Sequence, residues 1–337
     1  MDVLRIFAVF SMMLLHVSAS NWEKTDISTF EWQIFNLGDS FARFCVPVFI
    51  MLSGAMFLDN SREFSIKKML KKNVLRLGCA FVFWSVLYTV VTMLLSENFT
   101  LEYVIETFIC GRYHLWFVPA IIGLYLVTPF LRKITADKKL TEYFLILWVI
   151  VSSVFALLKV LPFVHDSANG LASDLQMHFV TGYTGYFILG YYLCNIEISP
   201  KIRKIIYALG VIGFVATAVG TWVWSVSKGK PVKSLYNNFM PNVLLQSVAV
   251  ITFFRYEVSK IKWNEKQLKV ITKISALSFG MYLFHDFINI IFKETGFTTL
   301  SYNAVLSVPC NTLIVFFVSL AVTYGLSKIP YINRYII

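Results

Sequence analysis

Apolar positions in this chain come in long unbroken runs. They show neither the strict alternation of a half-buried strand nor the single stripe of a surface helix. The segment 304–326, for example, contains no Asp, Glu, Lys or Arg. A helix that crosses a bilayer needs ~20 predominantly apolar residues. Ten segments meet that description: 3–20, 38–58, 74–95, 114–131, 142–161, 178–195, 204–226, 240–256, 271–292 and 304–326. Outer-membrane barrel strands would instead give short alternating segments. The pattern predicts an all-α polytopic membrane protein with about ten transmembrane helices. The whole chain, 1–337, reads as a single integral-membrane domain with short connections, so any chemistry must come from residues on the spans or at their ends.

Composition supports this reading. Hydrophobic residues make up 57% of the chain and charged residues only 15%, against ~25% charged in soluble domains. A formal net charge of +11 would otherwise suggest nucleic acid, but the placement of the basic residues argues against such a partner. They concentrate in the loops after even-numbered spans, in Arg62, Lys67, Lys68, Lys71, Lys72 and Arg76, then around Arg132, Lys201 and Lys260, and again at Lys328 and Arg334. Positive residues stay on the cytoplasmic side of a membrane, so both termini are expected to be cytoplasmic. The loop holding Lys228, Lys230 and Lys233 runs against the trend.

Other local signals change little. Residues 6–15 followed by Val17-Ser18-Ala19-Ser20 resemble a cleavable signal peptide, yet the start holds one Arg and an Asp instead of a basic cluster, so retention as a span is expected. Asn98-Phe99-Thr100 fits a glycosylation acceptor. The cysteines Cys45, Cys79, Cys110, Cys194 and Cys310 show no CxxC pairing. They are expected to be buried free thiols with no metal site. His165 and His178, around Asp166 and Asp174, lack a metal-ligand spacing.

Ionisable groups within a membrane are costly and mark candidate functional positions. The first span carries Arg5 and His16, eleven positions apart. That spacing is three helical turns, so both side chains share one face, ~16 Å apart along the axis. Arg43, near the start of the second span, lies four residues after Asp39 and is expected to pair with it. His114 and Trp116 sit at the outer end of the fourth span, as interfacial anchors or as acceptor contacts. His285 and Asp286 lie within the ninth span, where an acid needs a partner. They either support the active site or hydrogen-bond between helices.

Together these segments resemble the membrane acyltransferase 3 family. The features that carry the resemblance are Asp2-Val3-Leu4-Arg5 with His16, the segment Arg43 to Gly54 with Pro47 and a closing Ser53-Gly54, and the basic stretch Lys67 to Arg76. To these are added His114-Leu115-Trp116-Phe117-Val118-Pro119 and Ser278 to His285 with Tyr282-Leu283-Phe284-His285. The resemblance covers nearly the whole chain and implies a stand-alone member. It implies an O-acyltransferase of the bacterial cytoplasmic membrane that moves an acyl group, usually acetyl, from cytoplasmic acyl-CoA to a hydroxyl. The acceptor would be a glycan or lipid-linked saccharide of the cell envelope. Acyl-CoA would serve as co-substrate, with no bound cofactor.

The residues suit that chemistry. A hydroxyl needs a base to become a competent nucleophile, and His16 is the expected base, or alternatively a nucleophile forming an acyl-imidazole. Arg5 with Lys67, Lys68, Lys71, Lys72 and Arg76 is expected to hold the phosphates of acyl-CoA. His114, Trp116, Arg43, His285 and Asp286 are expected to contact the acceptor or support the site. Two rivals stay open. An exporter or flippase of a lipid-linked saccharide would show paired broken helices and an internal repeat. The same fold could also use a succinyl donor, with Arg43 meeting its extra carboxylate.

Overall fold

The computed structural model describes residues 1–95, 100–161 and 163–337, and these are folded as helices joined by short connections. In chain order the helices are α1 (Asp2–Trp22), α2 (Phe30–Ala42), α3 (Cys45–Phe57), α4 (Ile66–Leu95), α5 (Leu101–Cys110), α6 (Phe117–Thr135) and α7 (Lys138–Leu158). They continue with α8 (His165–Asp174), α9 (Thr184–Asn195), α10 (Pro200–Lys228), α11 (Pro241–Tyr256), α12 (Glu265–Glu294), α13 (Ala304–Leu326) and α14 (Pro330–Tyr335). Asn98 and Phe99 of the glycosylation pattern lie outside the described residues.

Among the described residues, eight segments are long and apolar enough to cross a membrane: α1, α2 with α3, α4, α6, α7, α10, α12 and α13. The expected spans 178–195 and 240–256 are helical but shorter. Helix α9 has 12 residues and α11 has 16, ~18 and ~24 Å at 1.5 Å per residue, short of the ~30 Å hydrocarbon core. Several true spans outrun their apolar runs because polar caps extend them. The side chain of Asn264 accepts from the backbone N–H of Gln267, and the Gln267 side chain returns a bond to the Asn264 backbone. This capping box starts α12 six residues ahead of the apolar run at 271.

The second expected span is broken. Pro47 is the third residue of α3 and has no N–H for the carbonyl of Arg43, so the ladder lapses at Arg43 and Phe44. Both residues keep right-handed helical φ/ψ, so the lapse is in hydrogen bonding and not in direction. Freed backbone groups at membrane depth are tolerated where they line a cavity, and Arg43 lines one, described below.

Helix α3 is central and packs against α9 and α1. Its contact with α9 depends on two glycines. A Cβ on Gly54 would stand 1.8 Å from the Phe187 carbonyl oxygen, and one on Gly190 would stand 2.0 Å from that of Met51. Such backbone-to-backbone approach needs residues without a side chain.

Both chain ends reach the same end of the bundle. The Ser275 hydroxyl donates to Asp2 Oδ1 at 2.7 Å, and Arg76 Nε donates to the carbonyl of Ile337 at 3.0 Å. Contacts tie the other basic loops to one another at their helix ends. Arg132 donates to the carbonyls of Phe57, Asp59 and Arg62 at 2.8–2.9 Å. Tyr191 Oη donates to the carbonyl of Thr135 at 3.3 Å, and Arg255 donates to the carbonyls of Leu193 and Ile196. At the opposite end Asn21 donates to Thr299 Oγ1 at 2.9 Å, and Lys233 pairs with Glu23.

The cysteines are free, but of the five only Cys45 is buried, and Cys110 and Cys310 are exposed. This corrects the expectation of buried thiols. Both exposed cysteines lie on outward faces of apolar helices, where lack of charge says nothing about which side packs.

Candidate functional site

A cavity of about 470 Å³ opens between α1, α3, α4, α6 and α12. Its lining changes character along α1. One end carries Arg5, Asn73, Arg76 and Ser275; the other carries His16, His114, Trp116 and Asn238. Phe49, Phe117, Ile121 and Phe279 are among the apolar residues lining it as well. Because α1 is continuous from Asp2 to Trp22, Arg5 and His16 sit three turns apart on the face turned to this space.

At the cationic end, Arg5 Nη1 donates to Ser275 Oγ at 3.1 Å and lies 3.4 Å from Asp2 Oδ1. Arg76 follows a π-helical turn over Met69–Val74, which also presents Asn73 to the cavity. The lysines of this basic stretch behave differently. Lys67, Lys68, Lys71 and Lys72 are exposed and do not line the cavity. Of the six expected donor-site cations, the fold brings only Arg5 and Arg76 inside.

At the other end three imidazoles meet. The rings of His16 and His285 have centroids 5.0 Å apart, and those of His114 and His285 4.9 Å apart. His285 is fully buried, and its Nδ1 lies 2.6 Å from the carbonyl oxygen of Tyr282. A carbonyl only accepts, so Nδ1 carries the proton and Nε2 keeps its lone pair. That Nε2 has no hydrogen-bond partner, nor has either nitrogen of the buried His114. Unpaired buried polar atoms cost ~1–3 kcal/mol each and call for an explanation beyond packing. Among the described residues, no group of three His, Cys, Asp or Glu side chains is placed to hold a metal ion.

Asp286 answers the demand for a partner within the membrane. Arg112 Nε donates to its Oδ2 at 2.8 Å and Tyr113 Oη to its Oδ1 at 2.8 Å, while His114 Nδ1 lies 4.0 Å from Oδ2. Burial works against the Arg112 charge, but the carboxylate outweighs it and raises the guanidinium above its ordinary value. Burial and Asp286 likewise raise the Tyr113 phenol, which stays a neutral donor. The loop that delivers these groups turns at Gly111, whose φ of +71° suits glycine. The hydroxyl of Tyr282 pins it by donating to the His114 carbonyl at 2.7 Å. Tyr113 then sets its ring edge against His16, with centroids 5.3 Å apart.

Arg43 lines the cavity, contacts Asp39, and lies 4.0 Å over the ring of Tyr236. The expected pairing is present, and the Tyr236 ring adds a cation–π contact. Trp116 stacks on Tyr183 with centroids 5.5 Å apart, and Asn238 Nδ2 donates to the Tyr183 hydroxyl at 2.8 Å. His178 is exposed and apart from the site.

Of the expected residues, the fold gathers Arg5, His16, Arg43, Arg76, His114, Trp116, His285 and Asp286 in or against one cavity. Sequence reasoning missed Arg112 and Tyr113 as the partners of Asp286, and Asn73, Tyr125, Ser275 and Asn238 as lining residues. The acid within a span signalled that a cation must exist, but nothing in the spacing selected one 174 residues away. Of the lining residues missed, Tyr125, Ser275 and Asn238 lie outside every segment that carries the resemblance.

No curated protein and no solved structure matches the chain. The family model described as acyltransferase domain matches residues 1–328 of the 337. A match over nearly the full length, on a chain of long apolar helices around an arginine-to-histidine cavity, shows that this protein belongs to the membrane acyltransferase 3 family.

Proposed function

We propose that the protein transfers an acyl group, acetyl in its simplest form, from acyl-CoA to a hydroxyl of a glycan or lipid-linked saccharide of the bacterial cell envelope. The reading rests above all on the cavity that carries Arg5 and Arg76 at one end and His16 at the other. Acyl-CoA has the matching polarity, with phosphates at one end, a flexible arm, and a thioester at the tip. In this reading the arginine end faces the cytoplasm. Arg5 and Arg76 take the phosphates, while the exposed Lys67, Lys68, Lys71 and Lys72 raise the local concentration of the anion at the mouth. The arm extends along α1 and brings the thioester carbonyl to His16.

His16 then acts as general base. Its imidazole takes the proton of the acceptor hydroxyl while that oxygen attacks the thioester carbonyl carbon. The carbonyl electrons pass to oxygen and return as the C–S bond breaks. CoA leaves as a thiolate and collects the proton from the imidazolium, so the products are an ester and CoA thiol. Trp116, stacked on Tyr183 beside Asn238, offers an aromatic face and an amide to the acceptor. His114, Arg43 and the Asp286 group support that end of the cavity.

The test is equilibrium binding of radiolabelled acetyl-CoA to the purified protein in nanodiscs, with formation of free CoA measured in membranes carrying the protein. Arg5→Ala and Arg76→Ala should each weaken binding by ~10-fold, about 1.4 kcal/mol. His16→Ala should bind acetyl-CoA as the wild type does and form no CoA above background. Full turnover by His16→Ala, or wild-type protein that binds no acyl-CoA, would overturn the proposal and turn attention to an exporter.

A further inference from the structure

A base that takes a proton at one ring nitrogen must carry its other proton on the opposite nitrogen, held by an acceptor. Asp286 accepts from Arg112, Tyr113 and Asn289, and no hydrogen bond joins it to His16. His285 is free for that role. Its Nδ1–H is committed to the Tyr282 carbonyl, so its buried Nε2 can only accept, and that atom has no partner.

The distance fits. A ring nitrogen sits ~1.2 Å from its centroid, so two imidazoles joined by a hydrogen bond of ~2.9 Å have centroids ~5.3 Å apart. The His16 and His285 rings lie 5.0 Å apart with planes tilted by 31° and no hydrogen bond between them, so the separation is within that reach and a turn of the His16 ring aims a nitrogen at Nε2. His114, the other ring near His285, stands at 75° to it and has both nitrogens unpartnered. Such a bond is commonly loose in a resting enzyme and tightens when substrate binds.

We propose that His285 is the positioning residue for His16. Its Nε2 accepts the N–H of the His16 ring, which fixes the His16 tautomer and leaves the other nitrogen bare toward the acceptor hydroxyl. When His16 takes the acceptor proton, the same bond holds the imidazolium until that proton passes to the CoA thiolate. No net proton moves to His285. The Tyr282 carbonyl on α12 thus orders His285, and His285 orders His16 across to α1. This inference rests on His16 being the base.

Two conservative variants separate this role from a packing role. His285→Asn keeps a donor for the Tyr282 carbonyl but ends short of His16. His285→Gln places an amide oxygen where Nε2 stood and gives up the bond to Tyr282. Both, with His285→Ala, are assayed for acetyl-CoA binding in nanodiscs and for CoA formation in membranes. His285→Ala and His285→Asn should lose ~10–100-fold in turnover, the range for one hydrogen bond to a group that becomes charged in the transition state. His285→Gln should recover part of that loss. All three should bind acetyl-CoA within about twofold of wild type. Asn turning over as well as or better than Gln would assign His285 to helix packing and overturn the inference. If His16→Ala itself turns over fully, the assignment of the base has failed. If His16→Ala is inactive while every His285 variant is fully active, only the positioning role has failed.

Discussion

At the scale of single residues, the cost of charge inside a membrane explains most of what is placed around the cavity. Asp39 is buried and contacts Arg43, whose guanidinium also covers Tyr236 and donates to its carbonyl at 3.3 Å. Removing one member of such a pair strands the other, and that typically costs ~3–5 kcal/mol. Asp39→Ala should therefore lower the thermal midpoint in detergent by several degrees, read by the fraction surviving gel filtration after heating. Asp39→Ala together with Arg43→Met, which removes both charges, should recover much of the loss. A double variant as unstable as the single would show that the pair itself contributes little. This pair was legible because its members lie four residues apart on one stretch of helix. The pair of Arg112 with Asp286 obeys the same rule but was not legible, since only the folded chain brings its two ends together. His285 was legible as a residue in a costly place, whereas its lone-pair Nε2 depends on the Tyr282 carbonyl and on the approach of α1.

At the scale of elements, apolar length predicted the long helices well and failed where geometry is local. Pro47 breaks the second span at Arg43, yet Pro129 and Pro309 lie inside intact helices α6 and α13. Proline alone thus does not tell a break from a tolerated gap; the packing around it decides. The π-helical turn over Met69–Val74 has no sequence signature, and its extra residue turns Arg76 by ~100° relative to a regular helix. The pairing of α3 with α9 rests on Gly54 and Gly190; Gly54 closes the Ser-Gly pattern of the second span, but nothing in the sequence marks Gly190 as its counterpart. Gly54→Ala would press a methyl group into the backbone of Phe187. Both partners are helix backbone and neither can step aside, so α3 and α9 must part. The expected outcome is a steep loss of folded protein in detergent, beyond the ~1–3 kcal/mol of ordinary overpacking. Gly78→Ala, where a Cβ meets nothing within 4 Å, should be recovered at wild-type yield.

At the scale of the whole molecule, charge and cavity point the same way. The basic loops and both termini gather at the end of the bundle where Arg5 and Arg76 open to the cavity, and the histidines lie toward the other end. Lys228, Lys230 and Lys233 are the exception to that asymmetry, and Lys233 is paired with Glu23 of the opposite loop, which offsets part of it. The proposed reaction requires the arginine end to face the compartment that holds acyl-CoA. Cysteine labelling in intact cells tests this directly. In a variant whose native cysteines are replaced by alanine, Lys67→Cys and Lys262→Cys are exposed sites at the basic end, and Lys230→Cys is an exposed site at the other. A membrane-impermeant maleimide should label Lys230→Cys in intact cells, and should label Lys67→Cys and Lys262→Cys only after the cells are opened. The reverse pattern would put the arginine end outside, away from any source of acyl-CoA, and the cavity would then have to be read as a route for an anion other than the donor. The expected pattern would leave a protein whose donor enters among cations on one side while its base waits three turns deeper. A hydroxyl reaching that base from the far side would then be acylated without the donor's phosphates having to cross the bilayer.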